Sequence, residues 1–318
     1  MNAPTSEPSG PLPSSSPSST APADQQLDGD SGTPTATHSS CRFLFLELFA
    51  GSGHLSGHVG RVLPCLPPQD IDKGGADFLD NDQAESLKQI WKHHADQGTR
   101  LIFHVAPPCS TFSRARDRSQ RTKLRSSAHP EGIVQNELVK EGNLIAKRTA
   151  ECVNYLVESL GAVGSWEQPA GSYMLPYLDS LEAISVEREA VLLHHCRFGK
   201  PFKKPTVFWL FGGLRLPSLD RRCTPSSPCG RKEHVTLGFG QGSTRDAAAY
   251  SDKLCRAYAL DLLRHTSAVE SAIDRARVHE HGKVVRHLDR GSAVASLREQ
   301  RDAEDAASRA GPAEVEHT

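Results

Sequence analysis

The 318-residue sequence has no apolar run near the roughly 18 residues a membrane-spanning helix needs. Its best candidate, Phe43 to Ala50, is short and carries Glu47. The amino end shows no basic region followed by an apolar stretch, and no arginine, so neither a secretory nor a mitochondrial leader is expected. Residues 1–41 contain no Lys or Arg and almost nothing that can pack, while 22 of them are Pro, Ser or Thr. Such a segment cannot offset its ordering entropy and is expected to be disordered. Eight cysteines run from Cys41 to Cys255 without the spacing of a disulfide framework. They read as reduced thiols of an intracellular protein. Charge of one sign is also missing: the net is −1. Residues 42–265 hold 29 Lys and Arg against 24 Asp and Glu, and residues 266–318 hold 8 against 10. A mildly basic middle tolerates a polyanionic partner without demanding one.

What the sequence does have starts at Arg42. Phe43-Leu44-Phe45-Leu46 reads as a buried strand ending in a glycine-rich turn, and Leu101 to Val105 as a second strand stopped by Pro107-Pro108. Leu144, Arg148, Cys152, Leu156 and Leu160 recur at helical spacing and feed a third strand over Ala162 to Trp166. Strands alternating with helices imply an α/β fold with a doubly wound, mostly parallel sheet. After Leu263 the sequence turns Ala-, Arg-, Glu- and Asp-rich, so residues 266–318 are expected to be a charged tail, partly helical or disordered.

Three stretches carry chemistry. In Leu46 to Leu55, a strand runs at once into Gly51-x-Gly53 and a helix, which lets the backbone approach a bulky cofactor where a Cβ would clash. Asp70 lies 17 residues past Gly53, near the spacing at which an acid ending the next strand holds ribose hydroxyls. Asp77 is placed at a further strand end. Taken alone, Gly-x-Gly is as compatible with an ordinary tight turn. In the second stretch, Ala106-Pro107-Pro108-Cys109 presents a thiol at the same rim, followed by Arg114, Arg116, Arg118, Arg121, Lys123 and Arg125. Positive surroundings would lower the thiol pKa and make it a nucleophile; a buried small hydrophobe beside a solvated loop is the bland alternative. In the third, Ser165-Trp166-Glu167-Gln168-Pro169 puts Glu167 at a strand end, able to move a proton or simply to cap a turn.

Taken in order, Phe49-Ala50-Gly51-x-Gly53, then Pro107-Pro108-Cys109-x-x-Phe112-Ser113, then Glu167-x-Pro169 resembles the DNA (cytosine-5) methyltransferase family over about residues 42–265. More narrowly, Ala106 to Arg116, Leu124-Arg125-Ser126 and Gly199 to Thr206 look like methylase-like proteins of protist genomes and mobile elements. The resemblance implies a Rossmann-like domain using S-adenosylmethionine. It assigns Phe49, Gly51 and Gly53 to the cofactor, to which Asp70 and Asp77 are added from their spacing, and Pro107 beside them. It assigns Cys109 to attack on cytosine C6, Glu167 to the ring N3, and Arg197 to the Arg of a later strand. Arg114, Arg116 and Arg118 would hold phosphates, DNA would be the nucleic-acid partner, and the location would be nuclear.

The sequence also departs from the family. Gln168 stands where Asn is usual, and Gly199 where a second Arg is. Thr206 to Ala247 leaves about forty residues for target recognition, too few for a large reading module, which leaves room for a partner protein. That interval holds Cys223, Cys229 and His234, with Cys196 and Cys255 elsewhere. Cys-x5-Cys-x4-His is not a standard zinc spacing, so no metal is assigned. Two other readings stay open. One is an amino-methyltransferase acting on adenine or protein, though Ala106 replaces its acid and Cys109 its aromatic. The other is a degenerate nucleic-acid binder derived from a mobile element.

Overall fold

The computed structural model describes residues 42–237, 247–281 and 301. Residues 1–41 and those beyond His281, other than 301, lie outside it, and with them the expected disorder at both ends. Five strands form one sheet: β1 Phe43–Leu48, β2 Arg100–Val105, β3 Val163–Pro169, β4 Arg188–His194 and β5 Pro205–Phe211. Their order is β1-β2-β3-β5-β4, with β1, β2 and β3 parallel and β5 antiparallel to both its neighbours. Only β5 therefore runs against the rest, and the expected mostly parallel α/β sheet is present.

Strand alternation divides the apolar residues between two faces. Leu44, Leu46, Leu48, Leu101, Phe103, Val105 and Trp166 form one, covered by three helices, α2 Asn81–Asp96, α3 Glu137–Asn154 and α4 Met174–Ser180. Phe43, Phe45, Ile102, Phe208 and Leu210 form the other, covered by α1 His54–Val59 and α5 Asp252–His281. α2 begins because the Asp80 carboxylate accepts the Asp82 and Gln83 amides, and it buries Ala84, Leu87 and Trp91 on one stripe. α3 begins on Asn136 and ends in a single π turn over Tyr155–Ser159. α5 runs through residue 265 without a break.

Gly164 explains how β2 and β3 can pack at all. A Cβ there would stand 2.3 Å from the Phe103 ring, its partner in register. Gly164→Ala is expected to lower the unfolding free energy by about 1–3 kcal/mol through overpacking, read as a reduced denaturant midpoint. An unchanged midpoint would mean that Phe103 swings aside freely.

The expected strands carrying Asp70 and Asp77 do not form. Pro64, Pro67 and Pro68 cannot donate to a ladder, so this segment follows β1 only as two isolated bridges: the Phe45 amide donates to Pro64 and Leu66 to Phe45 at 2.9 and 2.8 Å, and Gln69 to Glu47 and Ala50 to Gln69 at 2.9 and 3.0 Å. It still shields the outer edge of β1. Asp77 sits in the turn before α2, its carboxylate taken by the Leu79 amide at 2.8 Å. Arg197 is not on a strand either: β4 stops at His194, and residues 195–198 form a 3-10 turn.

Candidate functional site

The site is built on one rung of the sheet. Glu47 pairs with His104, and His104 with Ser165, so three polar residues point to the face beneath α1 and α5. His104 lies between the Ser165 hydroxyl at 2.8 Å and the Tyr250 hydroxyl at 2.9 Å, and Ser165 also meets the Tyr258 hydroxyl at 2.8 Å. Burial pushes the His104 pKa down to about 3, so the imidazole stays neutral. Glu47 accepts the backbone amide and hydroxyl of Ser56, which ties β1 to α1, while burial raises its pKa.

Next along β3 on the same face comes Glu167, buried inside the strand rather than at its end. One carboxylate oxygen, Oε1, has no hydrogen-bond partner, and the nearest cation is the Lys204 ammonium at 3.8 Å. Burial raises the Glu167 pKa, with Lys204 opposing. Lys204 is anchored by the Ala247 carbonyl at 2.8 Å and has a φ of 26°, a left-handed backbone at a non-glycine residue. Phe49 is a second such residue, at 58°. Backbone strain of this kind persists where the surroundings fix it, and it concentrates at functional sites.

Cys109 stands four residues past the end of β2, on a loop fixed from two sides. The Gln168 amide donates to the Pro107 carbonyl at 3.1 Å, locking the double proline to β3. Arg125 is buried, stacks 3.5 Å over the Phe112 ring, and donates to the Thr111 carbonyl and hydroxyl at 3.0 and 2.9 Å. Cys109 is half-buried, and the enclosure of its thiol pushes the pKa up to about 11. The Glu167 carboxylate adds to that rise and Lys204 opposes it. The sequence expectation was the reverse, a thiol acidified by the arginine run. Those arginines instead serve the loop: Arg114 lies 5.1 Å over the Tyr173 ring, Arg116 holds the Ser110 carbonyl at 2.8 Å, and Arg118 the Leu237 carbonyl at 3.3 Å. Alkylation of Cys109 by iodoacetamide, followed by peptide mapping, is expected to speed up about tenfold per pH unit from pH 7 to 10. A plateau below pH 8.5 would show an acidified thiolate instead.

The glycine loop lies at the end of β1. Gly51 and Gly53 have φ of 53° and 69°, and the Gly51 amide donates to the Asp70 carboxylate at 2.7 Å. Nothing lies within 4 Å of where a Gly51 Cβ would stand, so the backbone is open to a ligand there. Phe49, Gly51, Gly53 and Asp70 are thus brought together, with Phe49 packed 4.6 Å from Phe78.

The Arg197 guanidinium donates to the Pro228 carbonyl. The cation beside Glu167 is Lys204. Sequence reasoning missed both Lys204 and the loop-holding amide of Gln168. Lys204 falls in a stretch already singled out, yet nothing in its spacing ties it to Glu167. Cys196, Cys223, Cys229 and His234, to which no metal was assigned, converge, and their ligand atoms all lie within 4.8 Å of one another. Cys255 does not join them. Spacing alone hides this, because Cys196 comes from the turn after β4.

No protein-family model matches the chain, and no curated protein matches it in sequence. Among solved structures it is similar to an E. coli prophage-encoded protein described as a DNA modification methyltransferase, with 16% identity and a TM-score of 0.33 over 53% of this chain and 46% of that one. It is similar to the Entamoeba histolytica methyltransferase EhMeth at 12% identity and TM-score 0.31, over 64% and 57% of the two chains. It is also similar to the S. pombe Dnmt2 methyltransferase at 14% and 0.29, over 53% and 49%. The chain spans about half the length of the proteins it matches. The solved structures it is similar to are thus methyltransferases by description.

Proposed function

We propose that the chain is an S-adenosylmethionine-dependent methyltransferase that acts on carbon 5 of cytosine in nucleic acid, most simply DNA, through Cys109. One observation carries this reading: half-buried Cys109 is within electrostatic reach of a buried carboxyl whose Oε1 has no hydrogen bond and meets only the Lys204 ammonium at 3.8 Å. A buried polar atom left unpaired costs about 1–3 kcal/mol, a cost met when a ligand supplies the missing group.

The chain's residues divide the work. Burial favours the protonated form of Glu167, which can then donate to N3 of a flipped cytosine. Neutral Glu167 no longer opposes the Cys109 thiolate, and Lys204 favours it. Attack forms the S–C6 bond while the ring's electron pair shifts toward C5, leaving C5 nucleophilic. After methylation, solvent water takes the C5 proton, the thiolate leaves C6, and N3 returns its proton to Glu167, which restores the neutral ring. Phe49, Gly51, Gly53 and Asp70, beside Pro107, would hold the cofactor, and the open backbone at Gly51 suits a close approach. When bound, S-adenosylmethionine supplies the methyl group. Asp77, committed to its own turn, is assigned only the shaping of the wall behind Phe78.

The direct test is incubation with labelled S-adenosylmethionine and DNA or RNA, followed by nucleoside analysis. Labelled 5-methylcytosine is expected; label in adenine or in protein would overturn the reading. For Arg114, Arg116 and Arg118, changing all three to Gln should reduce the slope of log affinity against log salt by up to about 2–3 on duplex DNA. An unchanged slope would mean the three serve the loop alone.

A further inference from the structure

We infer that Cys196, Cys223, Cys229 and His234 form a structural zinc site that fastens the segment after β5 onto the turn after β4. The donors are three sulfurs and one imidazole nitrogen, a set that suits zinc in closed four-ligand sites. Zinc–sulfur bonds of about 2.3 Å and zinc–nitrogen bonds of about 2.0 Å place tetrahedral ligand atoms about 3.5–3.8 Å apart. The His234 Nε2 lies 3.3 Å from the Cys229 sulfur and 3.8 Å from the Cys223 sulfur, close to those separations. Cys196 and Cys223 are buried, and Cys229 and His234 half-buried, so little room is left for water as a fifth partner.

The surrounding chain shows why a metal belongs there. Between Asp220 and Thr236 the described residues form no helix or strand, only a bridge between Thr224 and Ser227. Yet the segment is held at several points to residues 194–201. The Cys223 amide donates to His194 at 2.9 Å, Arg231 to the Gly199 carbonyl at 3.0 Å, and the Val235 amide to the Pro201 carbonyl at 3.0 Å. Few apolar residues lie in this stretch, so packing alone is a weak source of order. Thiols hydrogen-bond weakly, and three of them facing one imidazole gain little unless a cation draws them together. With all four positions filled by protein, the site is closed and lacks the open position that catalysis needs. The inference stands apart from any reading of Cys109.

The test uses the full chain purified without chelator. About one zinc per chain is expected by elemental analysis. Removal by a strong chelator should lower the melting temperature, and zinc should restore it. Cobalt(II) exchanged into the wild-type protein should show thiolate charge-transfer and tetrahedral d–d absorption, a readout that does not depend on any variant folding. Cys229→Ser and His234→Ala should lose the metal, while Cys65→Ser, outside the cluster, keeps it. The inference is overturned if the reduced wild-type protein binds neither zinc nor cobalt. It is overturned equally if the metal survives both ligand variants, or if intact mass and peptide mapping show a disulfide within the cluster.

Discussion

Cys109→Ser is expected to abolish methyl transfer, by at least about a thousandfold, while leaving the melting temperature within a degree or two of the wild type. Serine nearly matches cysteine in volume, and the loop's fastenings do not pass through the sulfur: Gln168 holds Pro107, and Arg125 holds Thr111. What changes is acidity. The thiol already sits high, at about 11, and reaches its anion only with Lys204 and a protonated Glu167 beside it. A hydroxyl in the same enclosure has no accessible anion. A cytosine analogue with fluorine at C5 should trap the wild-type protein, because fluorine cannot leave as a proton does and the S–C6 bond persists. Glu167→Gln should bind nucleic acid yet react about 10²–10⁴ times more slowly, since an amide can touch N3 but cannot protonate it. Transfer by the serine variant at near wild-type rate would falsify the thiolate mechanism and return the amino-methyltransferase reading.

How much of this was legible beforehand depends on what each residue answers to. Phe43 to Leu46 and Leu101 to Val105 are dense apolar runs bounded by glycine or proline, and both appear as strands where expected. The helix predicted from Asn143 to Leu160 appears too, shifted toward its amino end because Asn136 caps it early and a π turn finishes it. Asp70 lies at the glycine loop although no strand delivers it. Its 17-residue offset from Gly53 survives as an amide contact to Gly51. The strand end expected at Asp77 is missing because local capping outcompetes strand formation: its carboxylate has an amide two residues away.

The acid–thiol pair illustrates a different limit. Residue types and order indicated Cys109 and Glu167, but the sign of the electrostatics was misread. Nearby arginines in sequence were taken as nearby charges in space, whereas the cation that matters comes from Lys204, 95 positions downstream of the thiol. β5, running against β3, starts just after Lys204 and delivers it beside Glu167. The cluster of Cys196, Cys223, Cys229 and His234 was hidden by the same kind of long-range pairing, since the 3-10 turn at 195–198 and the segment after β5 meet only in the folded chain.

Arg125→Ala is expected to cost about 3 kcal/mol or more of unfolding free energy, the largest loss from any member of the arginine run. Its guanidinium is not a solvated charge but a hub. Nε serves the Thr111 carbonyl, Nη2 the Thr111 hydroxyl, and Nη1 the Pro130 and Glu131 carbonyls and the Asn143 side chain at 2.7–2.9 Å. Truncation leaves several of these acceptors enclosed without a donor, each costing about 1–3 kcal/mol where water cannot enter, and uncovers the Phe112 ring. Arg125→Lys should recover only part of the loss, because one ammonium cannot span acceptors set around a planar fork. Arg116→Ala, which gives up one contact at a half-buried position, should change stability by no more than about 1 kcal/mol. Urea unfolding with a common slope compares all three. Because the hub fastens the segment just after Cys109, Arg125→Lys should also lower methyl transfer more than it lowers nucleic-acid binding. A loss below about 1 kcal/mol for Arg125→Ala would show that water replaces the guanidinium freely and that the Cys109 loop is held without it, by contacts such as those of Gln168 and Arg116.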